Sequence, residues 1–319
     1  MLITDAVYKK KLVHRYDDEG YIKYFSAADF PGLRAEPFSF TSGKNTLRGF
    51  WYRYGGEKNE LIVFCHGVGG GHRSYMAEIA HLCGRGYTVL AYDNTGCFAS
   101  DGKDIGGFVQ SLADLDAAVK AIKNSGEWNR FSRVFVMGHS WGGYAAANIP
   151  AYQSGFEKAV VISGFVSVER MLLTQTAGAK TAMNRFTFRQ LCAFEKKAGP
   201  AYFGANALDA VNEGKTKYLF AHSEDDPMVP YAEHTKYIRE NASVNAEYLI
   251  VSGRMHNPNY TSDAVIYMSE VFGGFQAAEK AGKLKTLADK QAYLKDTDWR
   301  RMTAQDEEFW DKVCAFLQA

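Results

Sequence analysis

Proline is scarce in this 319-residue chain, at 7 residues, while 46% of the sequence is hydrophobic, which excludes a disordered or collagen-like polymer. An excess of one charge is missing as well. The 37 Lys and Arg against 36 Asp and Glu leave +1, so no electrostatic footprint points to nucleic acid. Cys65, Cys83, Cys97, Cys192 and Cys314 are odd in number, widely spaced and without a C-x-x-C pair. Neither a disulfide framework nor a zinc site is expected, no cofactor is called for, and the expected setting is reducing and cytoplasmic. No apolar run approaches the roughly 18 residues of a membrane span. The N-terminal Lys9-Lys10-Lys11 leads into His14, Arg15, Asp17 and Asp18 rather than an apolar core, so a signal peptide is not expected either.

What is present is an alternation of short apolar runs with helical periods. Pro37 to Thr41 and Leu47 to Tyr54 flank Ser42-Gly43-Lys44-Asn45 and predict an antiparallel hairpin. Leu61 to Cys65, Thr88 to Tyr92, Val134 to Met137 and Ala159 to Ser163 have the continuous apolar character of strands buried on both faces. Between them, Leu112, Leu115, Val119 and Ile122 recur at three- and four-residue steps, and the Ala-rich stretch Trp141 to Tyr152 is also helix-compatible. The rhythm breaks from 166 to 213, a Met-, Phe- and Lys-rich segment that reads as a helical excursion. It resumes with strands at Tyr218 to Ala221 and Ala246 to Val251 and a helix at Tyr231 to Asn241 between them. A final helix over Asp306 to Leu317 would dock through Phe309, Trp310, Val313 and Phe316, while 274 to 304 suggests no role. The pattern predicts an α/β class with a mostly parallel sheet. The core would be built from 1–165 and 214–319, with 166–213 inserted in it.

Three strand ends carry chemistry. Gly138-His139-Ser140-Trp141-Gly142-Gly143 is a G-x-S-x-G between a strand and a helix, the context in which a serine is held on a sharp turn above the sheet. A serine hydroxyl is a poor nucleophile near neutral pH and needs a base with an orienting acid. Glu224-Asp225-Asp226-Pro227 follows one later strand and Arg254-Met255-His256-Asn257 the next, in the order Ser, Asp, His. The residues alone leave Asp225 and Asp226 open. The Gly-rich loop His66-Gly67-Val68-Gly69-Gly70-Gly71 lets backbone approach a substrate oxygen, so the N–H groups of Val68 and Trp141 are the expected oxyanion donors. A competing reading takes the same loop, with Asp93 about 25 residues on, as a dinucleotide-binding turn; against it, His72 stands where G-x-G-x-x-G needs its third glycine.

These motifs resemble the α/β-hydrolase family, in particular its serine aminopeptidase-like and monoacylglycerol lipase-like branch. The carrying residues are His66-Gly67-Val68-Gly69-Gly70, Tyr92-Asp93-Asn94-Thr95-Gly96, Gly138 to Gly143, Asp226-Pro227-Met228-Val229-Pro230 and Gly253-Arg254-Met255-His256-Asn257. The resemblance implies an α/β-hydrolase fold with antiparallel N-terminal strands and a helical cap over 166–213. It also implies Ser140 as nucleophile, His256 as base, and Asp226 as the acid through a D-x-x-V turn. The chain departs from the family in Asn94-Thr95 of the second loop, and in a longer stretch between His256 and the last helix.

The expected activity is acyl transfer through a serine ester, with a small-molecule carboxylic ester as first choice and a peptide or amide behind it. His66, Gly67, His139, Met171 and Phe186 are the expected substrate contacts. A hydrolase-fold binding protein without turnover is the alternative from another class.

Overall fold

In the computed structural model, which describes residues 3–242 and 245–319, the apolar runs assemble into one eight-stranded sheet among the described residues. The chain enters through helix α1 (Ile3–Lys11) and then forms β1 (Arg34–Ser42) and β2 (Asn45–Arg53). Their connection is shorter than the four residues expected. Ser42 pairs with Asn45, so Gly43 and Lys44 alone make the turn, and Gly43 sits at φ +58°, the left-handed geometry that two-residue hairpins favour.

Next come β3 (Glu60–Cys65), α2 (Met76–Gly84), β4 (Thr88–Tyr92), α3 (Gln110–Asn124), β5 (Arg133–His139), α4 (Trp141–Asn148) and β6 (Lys158–Ile162). Three helices follow, α5 (Val168–Gln175), α6 (Ala182–Ala198) and α7 (Ala207–Glu213), before the sheet resumes with β7 (Lys217–Ser223), α8 (Thr235–Asn241) and β8 (Ala246–Val251). The spatial order is β1-β2-β4-β3-β5-β6-β7-β8. The β1–β2 and β2–β4 pairs are antiparallel and the remaining pairs parallel. Every residue of β3, β4 and β6 is buried, which is why those runs carry no polar alternation.

From β3 the chain steps outward to β4 and then crosses back to β5 on the other side. At such a reversal the loops leaving the two strands diverge and open a crevice at the carboxyl edge of the sheet. The loops after β3 and β5 are the Gly-rich loop and the serine turn.

The helix expectations need two adjustments. Pro150 offers no N–H, and α4 gives way after Asn148 to a 3-10 turn at Ile149–Ala151. The expected helix from Tyr231 is a 3-10 turn, Tyr231–Glu233, broken at His234 (φ −123°, ψ −85°) before α8 begins. The inserted helices start on side-chain caps: Ser167, Thr181 and Asn206 accept from the N–H groups of Arg170, Asn184 and Leu208.

The stretch that suggested no role contains the end of α9 (Ser262–Lys280), α10 (Leu287–Leu294) and α11 (Trp299–Met302). Phe275, Leu284 and Leu294 there close a small apolar cluster with Tyr21, apart from the main core. The last helix, α12 (Glu307–Gln318), buries Phe309, Trp310, Val313 and Phe316 as its periodicity requires.

Candidate active site

Ser140 sits between β5 and α4 at φ +57° and ψ −115°, a left-handed conformation costly for a residue with a side chain. The turn is held by Ser140 N–H donating to Ile162 O at 2.8 Å and by Tyr144 N–H donating to Ser140 O at 3.0 Å. The flanking glycines are a packing necessity. A Cβ on Gly138 would lie 2.2 Å from Gly142 O, and one on Gly142 would lie 2.1 Å from Cys65 O. Gly67, in the loop after β3, abuts the serine: a Cβ there would be 3.3 Å from Ser140 Cβ and 2.6 Å from Tyr75 Oη.

The acid and the imidazole meet at the ends of β7 and β8. Asp226 Oδ2 accepts from His256 Nδ1 at 2.7 Å, whereas Asp225 turns elsewhere and accepts from Gly253 N–H at 2.9 Å and Met255 N–H at 3.3 Å. Asp226 Oδ1 accepts from Met228 N–H at 2.8 Å and Val229 N–H at 2.9 Å, which gives the D-x-x-V spacing its cause: the carboxylate closes its own turn. A second histidine completes the acid's surroundings. His222 is fully buried, with Nε2 at 3.1 Å from Asp226 Oδ2 and 2.8 Å from Val229 O, and Nδ1 at 2.7 Å from Thr235 Oγ1. Burial alone would raise the Asp226 carboxyl, but hydrogen bonds from His222 and His256, the His256 charge and the Val229 N–H outweigh it and hold it well below the usual carboxylate range. The acid stays ionised.

His139, an expected substrate contact, has both ring nitrogens engaged by the protein itself. Its Nε2 lies 2.8 Å from the His256 carbonyl, which can only accept, so Nε2 carries the proton and Nδ1 must accept from Tyr75 Oη at 2.8 Å. Tyr75 Oη in turn accepts from Gly67 N–H at 3.0 Å. One neutral ring thereby ties the loop after β3 to the loop carrying His256, and its own ring lies 4.6 Å from that of His256. Burial first, and the neighbouring His256 second, push His139 down to about 3, so it carries no charge near neutral pH. Ser140 Oγ makes no hydrogen bond among the described residues. Hydrogen bonds of this kind are often long without substrate and tighten when it binds.

His66, another expected substrate contact, is engaged in the same way. It is fully buried, donating from Nδ1 to Gly67 O at 2.7 Å and accepting Asn94 N–H on Nε2 at 2.9 Å, so both nitrogens are spent on holding the loops. Asp93, the acid of the dinucleotide reading, is equally committed: it accepts from His72 N–H at 2.8 Å and His72 Nδ1 at 2.7 Å and is not free for a ribose. Phe186 faces solvent at 47% exposure and does not line the cavity that holds Ser140.

Met171 does line the site. A cavity of about 210 Å³ joins Ser140, Val68 and Trp141 to Met171, Phe165 and Val229. Phe108, Met228, Pro227, Gln175 and Leu12 complete its wall. Trp141 heads α4, where the first N–H groups have no intrahelical partner, and its indole donates to Phe108 O at 2.6 Å. Tyr75, His222, Phe108 and Leu12 escaped the sequence reading, because they join the site through space and carry no motif of their own.

A deep serine turn at the sheet's carboxyl edge, an Asp–His pair on the last two strands and two antiparallel strands at the start leave one architecture. The chain has the α/β-hydrolase fold. Residues 56–195 match the family described as serine aminopeptidase, S33. A proline iminopeptidase of Saccharolobus solfataricus is 32% identical over 121 residues, a stretch covering 37% of this chain and 37% of that relative's own length. Among solved structures, an esterase of Pyrococcus furiosus superposes with TM-score 0.59 at 19% identity, covering 89% of this chain and 98% of that one. An α/β hydrolase of Penicillium sp. gives 0.53 at 16% identity, covering 82% and 99%. These likenesses concern the fold, and esterases and peptidases both appear among α/β-hydrolase relatives of this chain.

Proposed function

We propose that this α/β hydrolase is a serine esterase acting through an acyl-enzyme. Ser140 Oγ attacks the ester carbonyl while His256 Nε2 takes its proton, and ionised Asp226 steadies the imidazolium. The N–H groups of Val68 and Trp141 receive the oxyanion, each worth about 3 kcal/mol to the transition state. Collapse breaks the C–O bond of the ester and returns the proton to the leaving alcohol. Water then enters by the same route in reverse and frees the acid. The helices of 166–213 serve as a cap, with Met171 as part of the acyl wall.

The observation that carries this reading is the Asp226–His256 pair at the same sheet edge as a serine held in a left-handed turn, above a cavity that reaches both oxyanion donors. Ester rather than aminopeptidase chemistry is favoured by the lining, in which no residue is acidic. A free α-ammonium bound there would be desolvated without a counter-charge. The peptidase reading draws on the serine aminopeptidase match and is tested with proline p-nitroanilide beside p-nitrophenyl esters.

A fluorophosphonate probe, which reacts with activated serines, is the direct test. Modification confined to Ser140 by peptide mass spectrometry, and absent in Ser140→Ala and His256→Ala, is the expected outcome. A folded protein that takes no label would replace the reading with a non-catalytic binding protein.

A further inference from the structure

Part of the cavity lining comes from a segment more than a hundred residues before the serine in sequence. Leu12 supplies it, and the segment around Leu12 is pinned on both sides. Upstream, Tyr8 Oη donates to Glu195 Oε1 at 2.6 Å, its ring meets Phe194 edge-on at 5.5 Å, and Leu12 N–H closes the helix end on Tyr8 O at 2.8 Å. Downstream, Tyr16 N–H donates to Gly96 O at 2.9 Å and Phe98 N–H donates to Tyr16 O at 2.8 Å. The Arg15 guanidinium donates to the carbonyls of Ser100 at 2.9 Å and Gly102 at 2.8 Å.

Glu195 is the keystone of the upstream anchor. It is fully buried on α6 and accepts, besides Tyr8, the backbone N–H groups of Phe108 at 3.0 Å and Val109 at 3.2 Å. Phe108 is itself a wall of the cavity, and its carbonyl holds the Trp141 indole. One carboxylate therefore joins the inserted helices, the N-terminal arm and the loop behind an expected oxyanion donor. Nothing in the acyl-transfer chemistry needs this cluster. It fixes two residues of the cavity lining, Leu12 and Phe108.

At about 210 Å³ the cavity is smaller than the roughly 300–1,000 Å³ of common ligand pockets, which suits a short acyl chain or a single ring. A longer chain would meet the lining, to which Leu12 belongs. Resting on the esterase reading, we propose that the arm from Tyr8 to Tyr16 is the specificity element of this enzyme: Leu12 ends the acyl pocket and restricts the substrate class to esters of short, uncharged acyl groups.

The test compares kcat/KM on p-nitrophenyl acetate, butyrate, hexanoate and octanoate for the wild type, Leu12→Ala, Leu12→Trp and Tyr8→Phe. A small fluorophosphonate reports Ser140 separately in each. The wild type should favour the short esters. Leu12→Ala should raise the octanoate-to-acetate ratio by about tenfold or more, since one or two methylenes gained in an apolar pocket are worth roughly that much. Leu12→Trp should lower the hexanoate-to-acetate ratio, and Tyr8→Phe, which frees the anchor without altering the wall, should raise the octanoate-to-acetate ratio in the same direction as Leu12→Ala. An unchanged chain-length profile in all three variants, with Ser140 still labelled, overturns the role of the arm and leaves the esterase intact. Loss of both labelling and ester turnover in the wild type overturns the esterase reading, and the role of the arm with it.

Discussion

Asp225 and Asp226 are neighbours in sequence with different burdens. Asp226 holds the His256 ring and closes its own turn, whereas Asp225 holds the backbone of the Gly253–Met255 segment. Asp226→Asn keeps the shape but removes the charge that favours the correct tautomer and the imidazolium, so kcat should fall by roughly 10³- to 10⁴-fold. Asp225→Asn should keep kcat/KM within about tenfold and cost about 1 kcal/mol through weakened hydrogen bonds to the loop, read as a shift in denaturation midpoint. Steady-state kinetics on both variants, with urea melts alongside, check the pair. The motif spacing pointed to Ser140, an acidic cluster and His256, each in a local pattern with a local steric cause, and the family resemblance chose Asp226, the carboxylate that accepts from His256. The spacing misplaced His66 and His139, which adjoin the reactive groups in sequence but point inward, where carbonyls and N–H groups of other loops consume both nitrogens.

Among the elements, the last helix reaches the site through its cap. Asp306 accepts from Phe309 N–H at 3.1 Å as the first residue before α12, and also receives Arg254 Nη2 at 2.8 Å. Arg254 stands two residues before His256 and also donates to Tyr260 O. Asp306→Ala should therefore cost about 1–2 kcal/mol in stability, mostly as a lost cap, with an accompanying fall in kcat as the histidine loop loosens. Equilibrium urea unfolding and ester kinetics on the same sample read both effects. The buried strands were legible because a parallel sheet between two helical layers demands uninterrupted apolar runs. The first residues of β1, Arg34 to Glu36, were not, because they lie exposed at the sheet's edge and no apolar alternation marks them. Nor was the fold of 274–304, whose few apolar side chains find their partner in Tyr21, some 250 residues away.

For the molecule as a whole, one buried carboxyl contributes a slope of stability with pH near neutrality that a single substitution can isolate. Glu78 on α2 is buried, with Oε1 accepting from Asn259 Nδ2 at 3.2 Å, and burial pushes it from 4.5 up to about 7. Between those values the folded chain retains a proton that the unfolded chain has released. The stabilisation is complete below about pH 4.5 and is lost as pH rises through about 7, on the order of 3 kcal/mol in all. Glu78→Gln should remove that slope, so the difference in unfolding free energy between variant and wild type should widen in favour of the variant from pH 5 to pH 8. Parallel curves would show that Glu78 titrates normally. The buried, depressed His139 and His234 act with the opposite sign, losing stability as pH falls below about 6.5, and Asp226 and Asp93 do so at more acid pH; both variant and wild type retain all four, so the difference between them reads Glu78. The hydrogen bond from Tyr8 to Glu195 spans 187 positions of sequence. A ribosome adding about 5–20 residues per second needs on the order of ten to forty seconds to deliver the second partner after the first. Throughout that interval Tyr8 lacks its acceptor, while Tyr16 and Arg15 can already close on residues 96–102, so in the cell the two anchors of the arm are made at well-separated times.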